Sequence, residues 1–200
     1  MGEDIMTIRL TAKTFGRGSL GYTQAHQNNG KPVFVRKDHI SCTTYAHIDL
    51  VNAAIGKVKS TLTDTSKTWK TLDKLQDAMF NIGSMIFDTK YATYEVNLKN
   101  LISRMESRTS AVNATLEATE FVKYGLDPIH ADWGMLTTQT RLAETVFVSW
   151  VHTSTLDEET LTQYQYVLDL LNTMSKWTFA ESRAYAASKQ LKEKTWESKN

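Results

Sequence analysis

The sequence predicts an all-α protein, a five-helix antiparallel bundle that follows an extended N-terminal arm. Three observations lead to this prediction. Apolar residues recur every three or four positions along five separate segments, which is the period of an amphipathic helix. Only two Pro and nine Gly occur in 200 residues, so few positions break a helix. No segment alternates apolar and polar residues over a useful length, so no strand is expected.

The arm comprises residues 1–40, and the helical bundle residues 41–200. The arm holds five of the nine Gly and one of the two Pro, with polar runs such as residues 24–31 and no helical period. Its segment 16–21 matches the glycine pattern of dinucleotide sites, but no predicted strand precedes it and no helix follows it. We therefore reject that interpretation. Backbone N–H groups, hydroxyls and one Arg in residues 14–19 indicate either an anion-binding loop or a surface turn.

Each predicted helix carries a stripe of apolar residues that faces the core. In chain order these stripes are Ile48, Val51, Ile55 and Val58; Leu72, Leu75, Met79, Ile82 and Ile86; Tyr94, Leu98, Leu101, Met105, Val112 and Leu116; Trp133, Leu136, Thr140, Ala143, Phe147 and Trp150; and Leu161, Tyr164, Leu168, Leu171 and Met174. Candidate N-caps lie among residues 41–44 and 63–66 and near Ser154. Gly125 and Pro128 interrupt the chain before the fourth helix, and the last helix ends near Lys189.

Composition excludes several classes of protein. With 23 basic and 22 acidic side chains, the net charge is +1, which argues against a nucleic-acid binder. The single cysteine, Cys42, excludes an intrachain disulfide and a cysteine-based zinc site within one chain. The five His are scattered, so we expect no metal site built by one chain. No apolar run is long enough to span a membrane and the N-terminus lacks a secretory pattern, so we expect a cytoplasmic protein.

One charged pair stands out in the fourth helix. Arg141 and Glu144 are three residues apart and therefore lie on one face of that helix, beside its apolar stripe. By itself this spacing is typical of an ordinary surface ion pair, although its place beside the apolar stripe also allows a functional site.

Several fragments, in the correct order, resemble PduO-type ATP:corrinoid adenosyltransferases. Residues 37–56 resemble that family's K-D-[DH]-x₅-Y-G-T-[VI]-D-E-L-N-x-x-I-G segment, and residues 75–83 its I-Q-x-x-L-F-x-x-G. Residues 141–144 lie where the family has R-R-A-E, and residues 171–179 resemble L-N-R-L-S-D-x-L-F. Residues 14–20 fall at the family's phosphate loop, and the resemblance extends over residues 11–188.

The resemblance implies a homotrimer of five-helix bundles that binds ATP, Mg²⁺ and cobalamin at sites between subunits. The implied reaction transfers the 5′-deoxyadenosyl group of ATP to Co(I) of a reduced corrinoid. By residue matching, Lys37 and Arg141 would hold the triphosphate, because fixed cations neutralise phosphate oxygens and the leaving group. Matching also assigns Asn172 and Glu144 to orienting the nucleotide or Arg141, Thr14 and Gly18 to the phosphate loop, and Asp49 to the corrinoid face.

The sequence also departs from the family pattern. Thr137 stands where the family has the arginine that pairs with the acid matched by Asp49, and Leu142 replaces the second arginine of R-R-A-E. Lys176 replaces the Asp of L-S-D, which reverses a charge. The sequence therefore leaves two alternatives open beside a divergent transferase. One is a non-catalytic nucleotide- or corrinoid-binding protein on the same fold, and the other is a structural trimeric bundle.

Overall fold

The computed structural model describes residues 21–28, 31–87, 95–117, 122–154, 156 and 158–195. Within them the predicted five-helix bundle is confirmed. The helices are α1 (Ile40–Lys59), α2 (Lys67–Phe87), α3 (Glu95–Asn113), α4 (Pro128–Thr153) and α5 (Glu158–Ser188), and two strands, β1 (Tyr22–Asn28) and β2 (Lys31–Arg36), precede them. No helix in the described part of the chain is long and apolar enough to cross a bilayer.

The helices pack in the order α2, α1, α4, α5, α3, while α2 and α3 touch each other only slightly. Along the series α2, α1, α4, α5 the neighbouring helices run antiparallel, whereas α3 runs parallel to α5, since Lys99 lies over the Tyr166 ring and Arg108 pairs with Glu181 further along both helices. Lys57 near the end of α1 pairs at 2.6 Å with Asp132 near the start of α4. Along α4 and α5, Thr137 lies opposite Thr178, and Phe147 lies opposite Tyr164 further along. This antiparallel arrangement fixes which site residues share a level in the bundle.

Most of the predicted stripes form the core, but the stripe of α5 is partly wrong. Leu161 is 43% exposed and Leu168 only half-buried, whereas Val167 and Leu170 are fully buried. Either set fits helical spacing, and the choice depends on where α5 meets α3 and α4. Of the third stripe, Leu116 follows the end of α3 and Tyr94 lies outside the described residues.

Of the three predicted N-caps, the one for α1 is wrong, the one for α2 is confirmed, and the one near Ser154 adjoins residues outside the described part of the chain. Helix α1 begins earlier than expected, because the ring of His39 accepts a hydrogen bond from the backbone N–H of Ser41 and so caps the helix. The Ser154 side chain donates to the Trp150 carbonyl at the end of α4. Ser66 does cap α2, since its Oγ accepts from the Trp69 N–H at 3.0 Å.

The arm contains a hairpin that the sequence analysis did not predict. Strands β1 and β2 pair antiparallel, with an irregular register between Gln24 and His26. The β-branched residues of segment 31–36 favour a strand, and Asn-Gly at 29–30 is the dipeptide typical of a two-residue hairpin loop. The alternation is too short to detect by period alone. The hairpin ends at Arg36, directly before α1.

Candidate functional site

The antiparallel packing of α4 and α5 brings Arg141 and Asn172 to the same level. Counting from the Thr137–Thr178 and Phe147–Tyr164 pairs, Arg141 lies level with residues 170–174 of α5. Both side chains are exposed. The structure therefore places these two predicted site residues at one height on neighbouring helices.

Glu144 is within electrostatic reach of two cations that belong to different helices. Burial is the largest influence on this half-buried carboxyl and raises its pKa above the usual 4.5. The charges of Lys176 on α5 and Arg141 on α4 oppose that rise. Among the described residues no ion pair within 4.0 Å joins Arg141 to Glu144, so the predicted pair is instead part of a looser group of three charges with Lys176.

Asn172 and Lys176 are one helical turn apart and line a common cavity of about 320 Å³ between α3 and α5. Glu106 and Asp169 also line this cavity, and the Asp169 carboxylate accepts a hydrogen bond from Gln165 Nε2 at 2.9 Å. Lys176 is the member of this charged group that lines the cavity. The same stretch of α5 is therefore able to contact an anion and a neutral hydrogen-bonding group together.

Lys37 lies in the turn that links the hairpin to α1. Its backbone N–H donates to the Gly21 carbonyl at 2.8 Å, which ties the two ends of the hairpin together, and its side chain is exposed. The thiol of Cys42 is close enough to feel the charge of Lys37, although burial dominates and raises the pKa of that thiol. Thr14 and Gly18, predicted for the phosphate loop, lie outside the described residues.

Asp49 occupies a different face of the bundle. It lines a cavity of about 400 Å³ whose walls come from α1 and α2, with the aromatic side chains of Tyr45, Phe80 and Phe87. The Lys57–Asp132 pair places Asp49 near the level of residue 140 on α4. Arg141 and Asp49, the residues that the family resemblance implies for catalysis, thus share a level within one chain but form no ion pair among the described residues.

Tyr124 is a residue at this site that the sequence analysis did not identify. Its ring lies so close to Gly134 of α4 that a Cβ added there would be 2.3 Å from Tyr124 Cγ. Burial raises the pKa of the Tyr124 phenol, and the adjacent hydroxyls of Thr137 and Ser182 and the charge of Arg141 oppose this only in part. A lone glycine inside the helical pattern of α4 was the available signal.

The segment that carries Tyr124 is fixed at both ends. Asp127 caps α4 by accepting from the His130 N–H at 2.7 Å, and its other oxygen accepts from the Tyr185 hydroxyl at 2.7 Å. Lys123 donates its backbone N–H to the carbonyl of Lys194 at 2.7 Å, so the C-terminal tail crosses this loop. Gly125, with φ of +95°, makes the turn between the two anchors.

The described residues contain no group of three or more His, Cys, Asp or Glu side chains able to hold a metal ion. Chemically, the α4–α5 surface offers the two exposed cations Arg141 and Lys176, the amide of Asn172, and the carboxylates of Glu144 and Asp169. Such a surface is suited to a polyanionic ligand that also presents hydrogen-bond donors and acceptors.

A sequence model of the family described as cobalamin adenosyltransferase matches residues 14–185. A search of curated proteins finds no match.

Solved structures show the same fold. A variant PduO-type ATP:corrinoid adenosyltransferase from Lactobacillus reuteri, complexed with cobalamin and ATP, superposes with a TM-score of 0.74 at 19% identity, covering 91% of this chain and 97% of that one. A second variant with both ligands gives 0.75 at 18% identity, covering 96% and 98%. A third, complexed with ATP, gives 0.74 at 19% identity, covering 94% and 100%. At these identities the structural likeness establishes the fold alone.

Proposed function

Because the chain belongs to the cobalamin adenosyltransferase family, we propose that it transfers the 5′-deoxyadenosyl group from ATP to Co(I) of a reduced corrinoid. The observation that carries the proposal is the family match over residues 14–185, which includes every predicted site residue from Thr14 to Asn172. Co(I) supplies the electron pair for the new bond to C5′. The C5′–O bond of ATP breaks, and triphosphate leaves.

The protein's task is to position the two substrates and stabilise the leaving group. Arg141 and Lys37 supply the charge that triphosphate needs as it leaves. Both side chains are exposed, which supports this assignment because neither is buried by its own chain. Glu144 orients Arg141, and Asn172, at the level of Arg141, binds the nucleotide.

Two assignments concern other parts of the molecule. Thr14 and Gly18 contribute backbone to the phosphate loop. Asp49 faces the corrinoid, and its aromatic-walled cavity between α1 and α2 supports this role, since apolar walls with few polar groups are typical of sites for large ligands.

Mg²⁺ enters with the nucleotide in this proposal. Mg²⁺ usually keeps several waters and is held by one or two carboxylates together with substrate phosphates, not by a cage of protein ligands. Glu144, half-buried and next to the cations that bind triphosphate, is the carboxylate best placed to contact such an ion or its waters.

We also propose a cytoplasmic homotrimer with its ligand sites between subunits. Exposed apolar side chains on α1 and α4 support self-association: Leu50 is 48% exposed, Met135 55% and Leu142 43%. Leu142 is adjacent in sequence to Arg141, so a subunit packed on this face would lie beside the triphosphate site. The free thiol of Cys42 is in keeping with a reducing compartment.

The proposal is tested with chemically reduced cobalamin, ATP and Mg²⁺ under anaerobic conditions, by following the visible spectrum of the corrinoid and the release of triphosphate. We expect conversion to the adenosylated spectrum. Arg141→Ala should abolish it, and Arg141→Lys should retain a part, since it keeps the charge but loses the planar guanidinium. Lys189→Ala, which removes an exposed charge beyond the end of α5, is the control and should have no effect.

ATP binding without any spectral conversion would contradict the transferase and favour a non-catalytic nucleotide-binding protein. A protein that binds neither ATP nor corrinoid would leave only a structural bundle. Sedimentation velocity separately tests the trimer, and a monomer at micromolar concentration would contradict sites between subunits.

A further inference from the structure

Lys176 belongs to the charged group on α4 and α5, yet its ammonium is available to bind a ligand. No hydrogen bond or ion pair within 4.0 Å joins its ammonium to a described residue. Its charge nevertheless reaches Glu144, on which it has a larger effect than Arg141 has. Lys176 is therefore close to the site without being neutralised there.

The position of Lys176 along α5 is also suitable. It follows Asn172 by one turn, and both residues line the same cavity. The two acids of that cavity, Glu106 and Asp169, form no ion pair with Lys176 within 4.0 Å among the described residues. A ligand that contacts both Arg141 and Asn172 would pass within reach of the Lys176 ammonium.

Lys176 changes the net charge of the group that it forms with Arg141 and Glu144. Arg141, Glu144 and Lys176 together carry a net charge of +1 when Glu144 is ionised, whereas an Asp at position 176 would make the total −1. A net negative surface repels a triphosphate, and a net positive one attracts it. Position 176 thus decides the sign of the net charge of this group of three residues.

We propose that Lys176 is a second cation for the triphosphate, which makes this protein a strong binder of the released tripolyphosphate as well as of ATP. The inference rests on the proposed function, because it takes Arg141 as the first triphosphate contact. Arg141 reaches the chain of phosphates from α4, and Lys176 reaches it from α5. The phosphates thereby offset the charge that the two cations place around Glu144.

The test is calorimetric titration of the full-length protein with inorganic tripolyphosphate, and separately with ATP, in the absence of corrinoid. We expect Lys176→Gln to raise the dissociation constant for tripolyphosphate at least ten-fold, and Lys176→Asp to raise it further. Lys189→Gln, which removes an exposed charge just beyond the C-terminal end of α5, should change it less than two-fold. Because Lys176 is exposed, thermal unfolding should be unaffected, and this is measured for each variant.

Two outcomes separate the two proposals. If Arg141→Ala weakens binding but Lys176→Gln does not, Lys176 is only a surface charge, and the inference is wrong while the proposed function stands. If the unsubstituted protein binds neither tripolyphosphate nor ATP, the proposed function itself fails. Equal weakening by Lys176→Gln and Lys189→Gln would indicate general electrostatics and would also overturn the inference.

Discussion

The hydroxyl of Thr137 on α4 lies 3.0 Å from Oγ1 of Thr178 on α5. Thr137 also lies 2.9 Å from the carbonyl of Trp133, and it is only 1% exposed. This is the position at which the resembled family carries an arginine. In this protein it is enclosed between two helices, so the departure is part of the packing of α4 against α5.

Thr137→Arg should therefore lower stability and should not restore activity. A guanidinium placed at this position would be buried without a partner, at a cost of about 3 kcal/mol or more. Urea unfolding measures the change. Thr137→Val is the matched control, because it keeps the shape and removes only the hydrogen bond, at about 1 kcal/mol. Increased adenosyl transfer by a stable Thr137→Arg protein would contradict this account.

The carboxyl of Glu144 should titrate above its usual range, and Lys176→Gln should raise its pKa further. Burial disfavours the charged carboxylate, and Lys176 is the main charge that opposes this effect. The titration of the Glu144 side-chain carbon by NMR, in both proteins, measures the shift. Arg141→Gln should also raise the pKa of Glu144, but by less, since the charge of Arg141 has a smaller effect on this carboxyl than the charge of Lys176. A lower pKa in Lys176→Gln would contradict the arrangement.

The raised pKa also determines how Glu144 affects stability. As pH rises past 4.5, the unfolded chain loses the Glu144 proton before the folded protein does. The folded state therefore binds more protons in this window, and stability falls as pH rises towards the folded pKa. Glu144→Gln should remove that part of the pH dependence. Thermal unfolding of both proteins, measured from pH 4.5 upwards, tests this.

The sequence predicted those parts of the fold in which the pattern is local. The stripes of α1, α2 and α4 were identified correctly, because their helical spacing admits one solution. For α5, Leu161 and Leu168 matched the period as well as Val167 and Leu170, and only the neighbouring helices decide between them. The hairpin was missed, because its alternating apolar residues are few.

The site shows the same limit. The spacing of Arg141 and Glu144 was visible in the sequence, since both lie on one helix. The approach of Lys176 to Glu144 requires the register of α4 against α5, which no local pattern contains. Tyr124 was missed for the same reason, because its partner Gly134 is recognised only once the loop is folded against the helix.

Asp127 should link the cap of α4 to the ionisation of Tyr185. The backbone N–H of His130 is the main cause that holds the pKa of Asp127 below 3.8, and the Tyr185 hydroxyl adds to it. The stabilisation is therefore complete above pH 3.8 and is lost as pH falls through the lower folded pKa. Asp127→Ala should cost about 1 kcal/mol at neutral pH, and this difference should shrink in acid, as thermal unfolding against pH would show.

The phenol of Tyr185 provides a separate measurement of the same contact. Burial, and then the hydrogen bond to Asp127, raise the pKa of Tyr185 to about 12. Asp127→Asn retains a capping side chain but removes the charge, so the pKa of Tyr185 should fall towards 10.0. The ultraviolet absorbance of the phenolate follows this titration, with Tyr185→Phe identifying the signal. An unchanged titration in Asp127→Asn would contradict the contact.

Gly134→Ala should destabilise the protein only while Tyr124 is present. The new Cβ would lie 2.3 Å from Tyr124 Cγ and 2.5 Å from Cδ1, so the ring has to leave α4. Overpacking of this kind costs about 1–3 kcal/mol. In a Tyr124→Ala background the obstacle is gone, and alanine should then stabilise the helix by up to about 1 kcal/mol over glycine.

Urea unfolding of the four proteins in this double-mutant cycle measures the coupling directly. We expect a coupling energy of about 2 kcal/mol or more, because the sign of the Gly134→Ala effect reverses between the two backgrounds. Additive effects would mean that Tyr124 does not rest on Gly134. The loop before α4 would then not be fixed by this contact, and the placement of Tyr124 against Thr137 and Ser182 would fail with it.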